Sequence, residues 1–73
     1  MLYSTDLLRH VRLIIGQNIH RSRAKHKWPL SKLSRTSGIP ESLLDHYEIG
    51  KCEIRLDEML KIACALDIKY NLN

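Results

Sequence analysis

Apolar residues recur along the chain at helical spacing. Leu7, Leu8, Val11, Ile14, Ile15 and Ile19 fall three and four apart and predict an amphipathic helix. Ser4, Thr5 and Asp6 stand before it, with capping oxygens and a negative charge suited to a helix N-terminus. Gly16 leaves two outcomes open, one long helix or two, because a glycine inside a helix costs about 1 kcal/mol relative to alanine. Between Leu33 and Lys51 the pattern gives two short helices joined at Ser37-Gly38, where a glycine is free to take positive φ. Leu33 faces inward, and Ser34 is small enough for the next helix to cross closely over it. Beyond the turn Ile39 plugs the angle, Leu44 and Tyr47 share one helix face, and Gly50 stops the helix. A last helix, around Leu56 to Leu66, carries Leu56, Met59, Leu60, Ile62, Ala63 and Leu66 at core spacing.

Seventy-three residues, 44% of them apolar, make one small domain, with no repeat or low-complexity tract. A domain of this size buries only roughly 60% of its unfolded surface, so contacts with a second subunit would add materially to its stability. The charge is lopsided. Through Arg35 there are eight basic residues and one acid, net +7, and from Thr36 onward four basic and seven acidic, net −3. The basic half suits a polyanion, and the acidic half faces away or meets something else. Cys52 and Cys64 have neither CxxC spacing nor metal-ligand neighbours and read as free thiols of a reducing cytoplasm, with a chance disulfide as the alternative. The longest aliphatic run, Leu13-Ile14-Ile15, is too short to span a bilayer, and no signal peptide or membrane association is expected.

Two short helices about a Gly turn form a helix-turn-helix, and the surrounding residues extend that motif. Ile15-Gly16 with Ile19 and Arg23, Leu33 with Gly38-Ile39, Leu44 with Tyr47-Glu48 and Gly50-Lys51, and Leu56, Leu60, Ile62-Ala63 and Leu66 fall in one register. In these residues the chain resembles the phage-repressor and Cro-like (XRE-type) helix-turn-helix family, from about Ile15 to Ile68. The resemblance implies an all-α fold, a compact four- to five-helix bundle of the lambda-repressor-like kind. It also implies a bacterial or phage-encoded, cytoplasmic protein that binds double-stranded DNA, usually as a homodimer, and requires no cofactor. Residues 1–73 are then a single domain in which 1–14 is an N-terminal helical extension.

The same resemblance distributes roles. Arg23 is expected to reach Glu48 in a partly buried, architectural ion pair, where a guanidinium matches a carboxylate geometrically. Trp28 stands where the family places a core residue. Pro29 and Leu30 occupy the positions of a Ser or Thr cap and a phosphate-binding Gln, which leaves Ser31, Lys32 and Arg35 as the polar residues of that helix. Lys25 and Lys27 from the basic run RSRAKHK, together with Lys51 and Arg55 near the following turns, are the other candidates for phosphate contact. If the second helix of the pair enters a major groove, Glu41, Ser42, Leu43, Asp45 and His46 meet base edges. In that setting each carboxylate accepts from a cytosine amino group, Leu43 packs on a thymine methyl and His46 donates to guanine. Plain solvent exposure is the competing reading for each of the five, and for Glu41 a carboxylate near a helix N-terminus also helps the helix itself.

Leu7, Leu8 and Val11 precede the position where family members begin, so either a second subunit covers them as a dimerisation surface or they fold back on the chain's own core. The sequence IKYNLN after Asp67 leaves little of a terminal dimerisation helix, which favours the N-terminal extension for self-association, or else the chain is one piece of a longer protein. Two functions therefore compete. The first is sequence-specific DNA binding by a small transcriptional regulator or repressor. The second is a protein-interaction module of antitoxin or antirepressor type, using the acidic helix on a protein partner. An enzyme is not expected: Asp57 and Glu58 are adjacent rather than facing, His10 and His20 form no metal motif, and no Gly-rich phosphate loop or nucleophile setting is present.

Overall fold

The computed structural model describes residues 5–67, with side chains from residue 6, so the expected capping by Ser4 and Thr5 and everything after Asp67 lie outside the described residues. Among the described residues there are four helices and no strand: α1 (Thr5–Lys25), α2 (Leu30–Ser37), α3 (Glu41–Glu48) and α4 (Leu56–Ala65). α1 packs on α3, and α2 packs on both α3 and α4.

α1 runs without a break through Gly16, so the extension before Ile15 and the segment after it are one rod. The physical reason is the crossing with α3. Gly16 is buried, and a Cβ added there would lie 2.5 Å from the carbonyl oxygen of Glu48 and closer still to that of Tyr47. The glycine thus costs helix propensity and returns a close approach of two backbones. α1 ends with Lys27 in the left-handed region at φ 57°. Lys27 N–H donates to the Ala24 carbonyl at 3.0 Å and Trp28 N–H to that of Arg23 at 3.2 Å, the Schellman pattern on a residue other than glycine.

The core gathers one face of each helix. Ile19, Leu33, Ile39, Leu44, Tyr47, Ile62 and Leu66 form the buried cluster, with Ile15, Trp28, Leu30, Leu43 and Ile54 packed around it. Leu33 and Leu44 are fully buried where α2 and α3 meet, and each such side chain contributes about 1.5–3 kcal/mol relative to exposure. Two residues expected in this core are not there. Leu56 is 71% exposed and Leu60 50% exposed, because Ile62, Ala63 and Leu66 set the buried face of α4, Leu60 points off it and Leu56 occupies its first position. Trp28 is half-buried at the edge of the core, with the His26 ring edge-on to it at 5.5 Å.

Candidate functional site

The turn between α2 and α3 is fixed by backbone geometry and two serine hydroxyls. Gly38 sits at φ 79°, ψ 12°, and its N–H donates to the Ser34 carbonyl at 2.8 Å. No atom lies within 4 Å of a Cβ built there, so the position calls for glycine through its φ rather than through space. Ser34 Oγ donates to the Ile39 carbonyl at 2.6 Å, and Ile39 N–H donates to Ser37 Oγ at 3.3 Å. These bonds hold Ile39 in the core. From there Pro40 starts α3, its carbonyl accepting from the amides of Leu43 and Leu44, each at 3.1 Å. α3 ends at a second Schellman motif: Gly50, at φ 74°, donates to the Tyr47 carbonyl at 3.2 Å, and Lys51 to that of His46 at 2.9 Å.

α3 is therefore a two-turn rod held from below by Leu44 and Tyr47. Its upper face presents Glu41, Ser42 and Asp45, all exposed, with side chains that make no hydrogen bond or ion pair among the described residues. His46 is half-buried at the margin. Leu43 departs from the expected base-reading role: it is half-buried and packs against the core, because it stands one turn before the buried Tyr47 on the same side of α3.

The expected phosphate contacts divide into free and engaged cations. Lys25, Lys27, Arg35 and Lys51 are exposed and have no partner among the described residues, and Ser31 is exposed at the start of α2, which has no side-chain cap. Lys32 Nζ lies 4.8 Å from the Trp28 ring centroid, a cation–π contact that aims it across the head of α2. Arg55 pairs with Asp57 at 3.3 Å on the surface, where such a pair is worth little and exchanges readily.

Behind α3 a polar cluster ties it to α1. Arg23 Nε donates to Glu48 Oε2 at 2.7 Å and Arg23 Nη2 to Glu48 Oε1 at 3.0 Å, while Nη1 reaches the Trp28 carbonyl at 2.8 Å. His20 Nδ1 lies 3.0 Å from Glu48 Oε1. Burial alone would raise the Glu48 carboxyl, but the bonds from Arg23 and His20 together hold it below its ordinary range. On the other side Tyr47 Oη donates to Glu58 of α4. Burial first, and then that bond, push the phenol well above its ordinary value. His20 joins this cluster without being part of the family register, and its one sequence signal is that it stands three residues before Arg23, the spacing that places two side chains on one helix face.

Among the described residues, no group of three or more His, Cys, Asp or Glu side chains is placed to hold a metal ion. No helix there is long and apolar enough to cross a membrane. Cys52 is half-buried and Cys64 exposed, both as free thiols. Compared with protein-family models, with curated proteins and with solved structures, the chain matches none.

Proposed function

We propose that α2, the Gly38 turn and α3 act as a helix-turn-helix and that the protein is a small transcriptional regulator of the XRE type, binding double-stranded DNA in a sequence-specific manner. The observation that carries the reading is the placement of α3. It is anchored by Leu44 and Tyr47, leaves Glu41, Ser42 and Asp45 exposed and without a side-chain partner among the described residues, and is followed directly by the exposed cation Lys51, with Arg35 exposed on α2. In this reading α3 lies in the major groove. Ser42 donates or accepts at a base edge, Glu41 and Asp45 accept from cytosine amino groups, and His46 approaches from the margin. Lys51 at the end of α3, Arg35, Lys32 and Ser31 on α2, and Lys25 and Lys27 at the end of α1 meet phosphates. Arg55 joins them by exchanging Asp57 for a phosphate. The setting is a reducing cytoplasm, in which both thiols persist.

A second reading, a protein-interaction module of antitoxin or antirepressor type, is favoured by one observation: two of the three free residues on the upper face of α3 are carboxylates. Duplex DNA binding measured by fluorescence anisotropy across a salt series separates the two. DNA binding gives an affinity that falls steeply with salt, and Lys51→Ala lowers the slope by about one unit. Selection from a random duplex pool then recovers a defined site. Absence of duplex binding at low salt overturns the DNA reading and leaves the protein partner.

A further inference from the structure

A groove lies between the first half of α1 and the segment that leads into α4. Leu8, Val11 and Ile15, three and four residues apart, form its α1 wall, and Ile54 and Met59 line it from the other element. None of its lining residues belongs to α3 or to the set proposed above to meet DNA, so it stands apart from that reading. It holds about 280 Å³. At the ~30 Å³ that a water takes up in the liquid, that is room for about nine heavy atoms. Two charged side chains also line it, and they differ in what they lack. Glu53 is exposed, with its carboxylate open to water. Arg12 is half-buried, and its Nε is closed off from solvent with no acceptor among the described residues. A buried donor left unpaired is costly, whereas an exposed carboxylate loses little.

We propose that this groove binds a medium-chain carboxylate, an unbranched fatty acid of about six to eight carbons, with its tail along the apolar walls and its head on Arg12. Arg12 decides the head. The Nε–H and neighbouring Nη–H of a guanidinium form a fork that fits a carboxylate side-on. Arg23 uses that same edge on Glu48, through Nε at 2.7 Å and Nη2 at 3.0 Å. A carboxylate held likewise on Arg12 supplies the acceptor that its Nε lacks. The wider field agrees, since the half of the chain through Arg35 carries net +7. Glu53 repels the head from its own end of the groove and so sets the direction of the tail. Volume decides the class of occupant: a helix or strand of a partner protein could place no more than a side chain or two here, whereas a short fatty acid enters whole. The inference does not depend on whether α3 binds DNA.

Titration of the full chain with octanoate, kept below its micelle-forming concentration and followed by amide NMR, tests this, with octanol and octylamine as probes of equal chain length. The expected result is a saturable set of shifts confined to residues 8–15 and 53–59. A dissociation constant of about 0.1–5 mM is expected for so small a ligand. Octanol, which offers no charge to Arg12, binds at least about tenfold more weakly, and octylamine gives no saturable shift. Arg12→Met keeps much of the stem and removes the fork, so octanoate falls to the affinity of octanol while octanol is unchanged. Val11→Trp fills the groove from its exposed lip and abolishes both, with helicity by circular dichroism unchanged in either variant. The contrast among the three probes on the parent chain stands even if a variant fails to fold. No saturable shift with octanoate, shifts spread outside the groove, octanol or octylamine binding as tightly as octanoate, or a folded Arg12→Met with the parent's octanoate affinity overturns the proposal.

Discussion

Gly16 of α1 lies against the carbonyl of Tyr47 in α3, so close that a methyl group has no place between them. The opposing atoms are backbone oxygens of a helix, which move only if the helix moves. Gly16→Ala gains about 1 kcal/mol of helix propensity and loses more by forcing the two helices apart. The expected net loss is about 2–4 kcal/mol, read as a lower urea midpoint. A variant as stable as the parent would mean that the crossing is looser than described.

The Arg23–Glu48 pair makes stability depend on acid. Glu48 titrates below its ordinary value of 4.5, so its contribution is fully present above that value and is lost as pH falls through the lowered one. Urea midpoints followed downward from neutral pH should fall for the parent below about pH 4.5. Glu48→Gln should start lower and show a flatter acid limb. Arg23→Ala, which strands the carboxylate, is expected to cost about 2–4 kcal/mol at neutral pH, somewhat less than a fully buried pair would.

Tyr47 supplies the opposite limb. Its phenol is raised above the ordinary value of 10.0, so the stabilisation it provides is present below that value and is lost as pH climbs through the raised one. Tyr47→Phe should cost about 1 kcal/mol at neutral pH through loss of the bond to Glu58. The same variant should lack the parent's decline at alkaline pH. Equal alkaline curves for the two proteins would remove Tyr47 from the explanation.

Lys27 holds a conformation that glycine adopts without strain. Lys27→Gly should raise stability by about 0.5–1 kcal/mol, since relief of the left-handed backbone exceeds the added chain entropy. If Lys27 also meets phosphate, the same variant should bind duplex DNA with a salt slope smaller by about one unit. Stability and slope are separate measurements, and each outcome stands alone.

Removing charge from the upper face of α3 should alter DNA binding in a defined direction. Asp45→Asn relieves repulsion from the phosphates, so non-specific affinity should rise at low salt. Discrimination against a site lacking the contacted cytosine should fall by about 1–3 kcal/mol. Equal affinity of parent and variant for every duplex would place Asp45 outside the contact.

The sequence made the elements legible because their signals were local. Gly38 and Gly50 mark turns through φ, and Leu33, Leu44 and Tyr47 mark buried faces through spacing. Ile39 was readable as the plug because it follows a turn residue directly. What spacing could not resolve was which apolar residue has a neighbour. Leu56 and Leu60 fit the period of α4 yet stand in solvent, and Leu43 fits an outward position yet leans on the core. The stripe on α1 merged buried and exposed positions, Ile15 and Ile19 packing on the core and Leu7, Leu8, Val11 and Ile14 standing largely in solvent. Gly16 was ambiguous for the same reason, since its purpose lies in a helix thirty residues away in sequence. Of the five α3 residues that the sequence offers for base reading, Glu41, Ser42 and Asp45 are exposed while Leu43 and His46 are half-buried, and of the cluster behind α3 the sequence points to Arg23 and Glu48 but not to His20.

The buried positions of α1 are Gly16 and Ile19, whereas Leu7, Leu8 and Val11 in its first two turns are 46%, 37% and 43% exposed. Amide protons there should trade with solvent by local fraying at rates set by the rod alone, far faster than those near Ile19. The front of α1 would then work as a built-in gauge of occupancy, slowing its isotope uptake only while something is seated against it.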